Sequence, residues 1–111
     1  MAMIIFDYID SGKTLNCRFT GRLDTNASAS LNEEMTSKLI TMQGSADPSG
    51  LLDDKIIFDM NGVNYIASSF IRICVNTAKQ VHKGNFSIIN CDPFLKKTFK
   101  IAGLDDILNV K

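Results

Sequence analysis

The run Lys55-Ile56-Ile57-Phe58-Asp59-Met60 lies mid-chain between turn residues, and it constrains the fold more than any other segment. A continuous apolar run of this length is the pattern of a strand covered on both faces, so it is expected near the centre of a sheet. Strand and helix patterns alternate around it. Met3 to Tyr8 and Thr14 to Phe19 read as strands joined by the turn set Asp10-Ser11-Gly12-Lys13, which predicts an antiparallel hairpin. Gly21-Arg22-Leu23-Asp24-Thr25 then opens a helix with Asp24 or Thr25 as N-cap. Ala27, Leu31, Met35, Leu39 and Met42 form its apolar stripe, and Gly44 stops it. Ser45 to Gly50 has loop chemistry, is expected to be mobile, and is given no function.

After Asn61-Gly62 the chain passes through Val63 and Tyr65-Ile66 into a second helix, about Ser69 to Lys83, closed by Gly84. Asn85 to Asn90 is the next strand. Asp92 caps a third helix with Pro93 at its first position and Gly103 just past its end. Ile107 to Val110 is expected as a short final strand. The order ββαβαβαβ predicts one α/β domain over 1–111, with a mixed central sheet: an N-terminal hairpin followed by parallel crossovers, with helices packed on it.

At 111 residues the chain fits one core, and twelve basic residues balance twelve acidic ones. No net field gathers nucleic acid or an anionic membrane, so partners must be found by shape and local chemistry. Cys17, Cys74 and Cys91 are widely spaced in apolar stretches and read as buried hydrophobes of a reduced, cytoplasmic protein, not as metal or redox ligands. The N-terminal MAMIIF lacks the flank and length of a secretory signal, and no run is long enough to span a membrane.

The segment Tyr65 to Arg72, YIASSFIR, carries the functional signal. Two hydroxyls stand where a strand ends and a helix begins, a place with unpaired N–H groups and partial positive charge that favours a phosphate. The simplest division makes Ser68 the helix cap and leaves Ser69 free. At 100° per residue, Ile71, Cys74, Val75 and Ala78 face the core, with Val81 at their border. Ser69, Ile73, Asn76 and Gln80 fall on the opposite side, so Ser69 is expected to be the more exposed serine and Ile73 an outward aliphatic that a partner could bury.

These motifs resemble the STAS domain family of anti-sigma-factor antagonists and their relatives. Gly21-Arg22-Leu23-Asp24 matches its G-x-[LI]-D motif. Asp59-Met60, Val63, Tyr65-Ile66, Ser68-Ser69 and Ile71 stand in register with its D-[FLM]-x-x-[VL]-x-[FY]-[IL]-D-S-[ST]-G-[LI] motif, and Gly103-Leu104 with its closing T-G-L segment. The resemblance implies a bacterial, non-enzymatic partner-switching protein. It would bind an anti-sigma serine kinase, an ATPase of histidine-kinase-like fold, while Ser69 is unphosphorylated, and release it once Ser69 is phosphorylated. Ser69 is then the phosphoacceptor, with Ser68 as second choice, and Asp24, Ser68 and Ser69 lie on the partner surface, to which the helical-face reading adds Ile73 and Asn76 from the outward stripe and Phe70 from its border. No cofactor is implied, no nucleic acid is bound directly, nothing is inserted in a membrane, and self-association as a weak homodimer is the other contact expected. Ala67 stands where the family usually has an acid and Phe70 where it usually has glycine. Both point to the alternative, a non-phosphorylated STAS accessory subunit of a lipid-transport or membrane transporter complex.

Catalysis has little sequence support. His82 falls about three turns, roughly 20 Å, from Ser69 along one helix. Glu33-Glu34, Asp53-Asp54 and Asp105-Asp106 flank turns or helices as solvated charge, no phosphate-cradling glycine loop is present, and Lys96, Lys97 and Lys100 read as a solvated face.

Overall fold

β1 (Met3–Ile9) and β2 (Thr14–Leu23) pair antiparallel as the expected hairpin in the computed structural model, which describes residues 2–111. The chain continues through α1 (Thr25–Thr41), β3 (Lys55–Ile66), α2 (Ser68–Ala78), β4 (Phe86–Ile89) and α3 (Pro93–Ile101). The sheet order is β1-β2-β3-β4, with β2, β3 and β4 mutually parallel, so the mixed α/β architecture read from the sequence is the one observed.

Alternation along the strands places the helices. Leu15, Cys17, Phe19 and Leu23 of β2, Ile56, Phe58 and Met60 of β3 and Phe86 and Ile88 of β4 are buried in one cluster with Leu31 and Met35 of α1, Phe70 and Cys74 of α2, and Leu95 and Phe99 of α3. All three helices therefore cover the same face. The other face carries Ile5, Arg18, Asp59 and Ile89 across one register row, of which Ile5 and Arg18 are exposed. The expectation that the central run is covered on both sides is thus corrected: β3 is central, but Ile57 and Asp59 are half-buried on an open face.

β3 also runs beyond Met60, straight through Asn61-Gly62, because β2 bends with it. The register slips between Arg18 and Thr20 and again between Gly21 and Arg22, and Gly21 adopts φ 95, a conformation open to glycine. At Gly62 a Cβ would lie 2.8 Å from Cγ2 of Thr20, so any other residue there would have to push the Thr20 side chain aside.

Phe19, Phe58, Phe70 and Phe86 form the aromatic centre, with edge-on pairs at 4.8 Å (Phe19–Phe58), 5.0 Å (Phe19–Phe70) and 4.9 Å (Phe58–Phe86). The three cysteines are free and buried, and burial pushes the Cys17 thiol up to about 12, Cys91 to about 11 and Cys74 well above the usual value. Neutral thiols of this kind pack as small hydrophobes.

Two further expectations are corrected. α2 ends at Ala78, not near Lys83, because the following segment is captured by the chain entering β3: Leu52 N–H donates to Gln80 O at 2.7 Å, and Leu52 bridges Val81. The final strand shrinks to a bridge between Ile88 and Val110, since Leu108, Asn109 and Val110 donate back into turns and Asn109 sits at φ 49. Among the described residues no helix is long and apolar enough to cross a membrane.

Candidate functional site

β2 and β3 run parallel and end together, with Leu23 paired to Ile66 and Ala67 N–H donating to Leu23 O at 2.8 Å. The next element on each strand is a helix, so α1 and α2 begin side by side at the carboxyl ends of adjacent strands, where open α/β sheets present their ligand sites. The two starts differ. Asp24 caps α1, its Oδ1 accepting from Ala27 N–H at 2.9 Å. α2 has Ala67 as N-cap and no side-chain cap. Its ladder begins with Phe70 and Ile71 donating to Ala67 O, and the N–H groups of Ser68 and Ser69 find no acceptor among the described residues.

The serine pair departs from expectation. Ser68 is the first helical residue, not the cap, and it is exposed; Ser69 is half-buried, with its Oγ covered and without a hydrogen-bond partner. Ile73, expected to point outward, is only 4% exposed, and Phe70, counted on the partner surface, is 0% exposed. The reason is the neighbour that the sequence does not show. α2 is clamped between the sheet, which takes Phe70 and Cys74, and α1, which closes over Ile73 and Thr77, while Ile71 and Val75 are left at the margin. Phe70 and Ile73 are therefore not available to a docking partner. Asn76 is exposed, and Asp24 is half-buried with its carboxylate committed to the cap.

Between the first turns of α1 and α2 lies a cleft of about 270 Å³, lined among others by Thr25, Ser28, Asn32, Ser69, Arg72 and Asn76. Ser28 is 2% exposed, and its Oγ, like that of Ser69, has no partner. Arg72 is exposed and takes part in neither of the ion pairs found among the described residues, Lys13–Asp53 at 3.8 Å and His82–Asp47 at 2.5 Å. Spacing on the helix could have found Arg72, three residues on from Ser69 and thus on its face. Ser28 carries no such signal, because its apposition to α2 exists only in the fold.

Other polar groups are already engaged. In a wider hollow beyond β3 and β4, Arg22 stacks on Tyr65 at 3.8 Å, Asn90 donates to Asp59 at 2.9 Å, and Asp92 caps α3 by accepting from Leu95 N–H at 2.8 Å. His82 lies beyond the end of α2 and pairs with Asp47, whose carboxyl is held down at about 2 by the Ser49 hydroxyl first and His82 next, against the opposing effect of burial. Lys96, Lys97 and Lys100 are exposed. No group of three or more His, Cys, Asp or Glu side chains suited to a metal ion occurs among the described residues.

The model of the STAS domain family matches residues 8–111. The chain belongs to the STAS domain family. Among solved structures, this STAS domain is similar to an anti-sigma factor antagonist from Mycobacterium paratuberculosis, with TM-score 0.77 at 14% identity, covering 99% of this chain and 85% of that one. It is also similar to the anti-sigma factor antagonist SpoIIAA in its unphosphorylated form, with TM-score 0.63 at 16% identity over 89% and 83% of the two chains. The Bacillus cell fate determinant SpoIIAA in the phosphorylated form gives TM-score 0.61 at 16% identity over 98% and 91%. At these identities the likeness is one of fold. No curated protein matches the sequence.

Proposed function

We propose that this STAS domain is a cytoplasmic anti-sigma-factor antagonist, a non-enzymatic partner switch that docks an anti-sigma serine kinase over the paired starts of α1 and α2. The observation that carries the reading is the uncapped start of α2, with Ser68 and Ser69 at its first two positions beside the cap residue Asp24 of α1. Ser69 is the phosphoacceptor. Its Oγ is covered but held by no hydrogen bond, so rotation about χ1 between staggered wells releases it to a kinase. The γ-phosphoryl of ATP then passes to that oxygen: an O–P bond forms, the bond to the β-phosphate oxygen breaks, ADP leaves, and a base of the kinase takes the hydroxyl proton.

The product needs no new fold. A phosphoserine adds about −1.5 to −2 charges, and the open N–H groups and dipole of α2 stabilise them by about 0.3 to 2 kcal/mol. A partner docked over the site loses about tenfold in affinity for each 1.4 kcal/mol of repulsion and uncompensated desolvation, which is the release step. The test is binding of the co-encoded kinase to wild type, Ser69→Ala and Ser69→Glu: wild type and the alanine variant bind, and the glutamate variant is released. Equal binding by all three contradicts the switch.

A second reading has its own support. Ala67 removes the usual acid, and the Ser69 hydroxyl is covered, so a STAS module that docks without phosphorylation, as an accessory subunit of a transport complex, fits the same surface. Equal binding by all three variants favours it.

A further inference from the structure

We propose that the cleft between the first turns of α1 and α2 receives an acidic side chain of the docking partner, held by Arg72. The inference rests on the partner-switching reading and supplies the chemistry its surface needs. Every polar group named in the cleft can donate a hydrogen bond: the hydroxyls of Thr25, Ser28 and Ser69, the amides of Asn32 and Asn76, and the guanidinium of Arg72. No carboxylate lines it. Ser28 stands out because it lines the cleft, is 2% exposed and has an Oγ without a partner, a rare condition that an incoming acceptor would relieve once the covered hydroxyl turns toward it. The Ser69 Oγ is in the same state.

The occupant follows from charge and size. A cluster of donors with one guanidinium matches an oxyanion, and the planar fork of arginine binds a carboxylate bidentately. A volume of about 270 Å³ lies at the lower edge of small-molecule pockets, yet is ample for the side chain of an aspartate or glutamate. The open N–H groups of Ser68 and Ser69 at the head of α2 add to the same field.

This gives release a second, attractive component. A phosphate on Ser69 would lie three residues from Arg72 on one helix face, within reach of the same guanidinium. The domain's own dianion then takes the cation that the partner's carboxylate used. Arg72 is thus both an anchor for the resting complex and the means of ending it.

The test measures affinity of the co-encoded kinase for wild type, Arg72→Gln and Arg72→Lys, each also carrying Ser69→Glu, alongside an NMR titration of the Arg72 Nε–H and the Ser69 amide with inorganic phosphate. Arg72→Gln is expected to weaken the kinase complex by about thirtyfold or more, with Arg72→Lys in between. In the glutamine background Ser69→Glu should cost less affinity than it does in wild type, because only the repulsive component of release remains, and the unfolding midpoint should stay unchanged because Arg72 is exposed. Phosphate should shift both NMR signals saturably in wild type, and the Ser69 amide should not move in Arg72→Gln. If the kinase binds Arg72→Gln as tightly as wild type, the inference is overturned while the switch stands. If the kinase binds no variant, the switch reading fails and the phosphate titration decides the cleft: a saturable shift lost in Arg72→Gln supports it, and no shift overturns it.

Discussion

The starts of α2 and α3 face similar problems and meet them differently. Both follow a parallel strand, and both N-cap residues have extended backbone, Ala67 at ψ 163 and Asp92 at ψ 169. α3 closes itself: the Asp92 carboxylate accepts from Leu95 N–H, and Pro93 at the first turn removes a donor that would need a partner. α2 has no cap and leaves the Ser68 and Ser69 N–H groups open between two hydroxyls. A helix start that only has to be stable is sealed by its own side chains, and one left unsealed is available to an anion or a partner.

The comparison can be broken by showing that the start of α2 is merely poor packing. The largest expected effect answers that. Phe70→Ala, one residue beyond the serine pair, should cost about 3 to 5 kcal/mol in denaturant unfolding, because Phe70 is fully buried against Phe19 and Phe58. Next is the sealed start itself: Asp92→Ala should lose about 1 kcal/mol, seen as a lower thermal midpoint. Ala67→Asp, which gives α2 the cap that α3 has, should gain about 0.5 to 1 kcal/mol by the same assay. Ser68→Ala should change stability by no more than about 0.5 kcal/mol, since the exposed hydroxyl caps nothing.

The smallest effect is electrostatic. Asp47 has hydrogen bonds on both carboxylate oxygens, from Ser49, Leu51 and His82, and its folded value of about 2 lies below the ordinary 3.8. A carboxyl depressed in the folded state contributes stability above its unfolded value and loses it as pH falls from near 4 towards 2. Ser49→Ala removes the main cause, so the Asp47 titration followed by NMR should move up towards the ordinary value, and the acid limb of unfolding should move with it.

Much of this was legible in the residues. The caps Asp24 and Asp92, the hairpin turn and the central position of β3 follow from local chemistry that acts within a few positions, whereas Gly21, read as opening the first helix, lies inside β2. What failed was whatever depended on a neighbour distant in sequence. A helical wheel gives a surface helix one buried side, but α2 has two, so Ile73 read as exposed and is covered by α1. The same crowding covers Ser69 and leaves Ser68 outside. β3 looked buried on both faces because Ile57 is aliphatic, and only the placement of every helix on one side left the other open. Ser28 had no sequence signal, since a serine in an amphipathic helix is ordinary until the helix packed against it is known.

The most direct test of the central claim, that the unsealed start of α2 is where modification controls docking, is site-resolved mass spectrometry after incubation with the co-encoded kinase and ATP. The account predicts a single phosphate that persists in Ser68→Ala and is absent from Ser69→Ala. A phosphate that disappears in Ser68→Ala instead, or one lodged elsewhere in the chain, would contradict it.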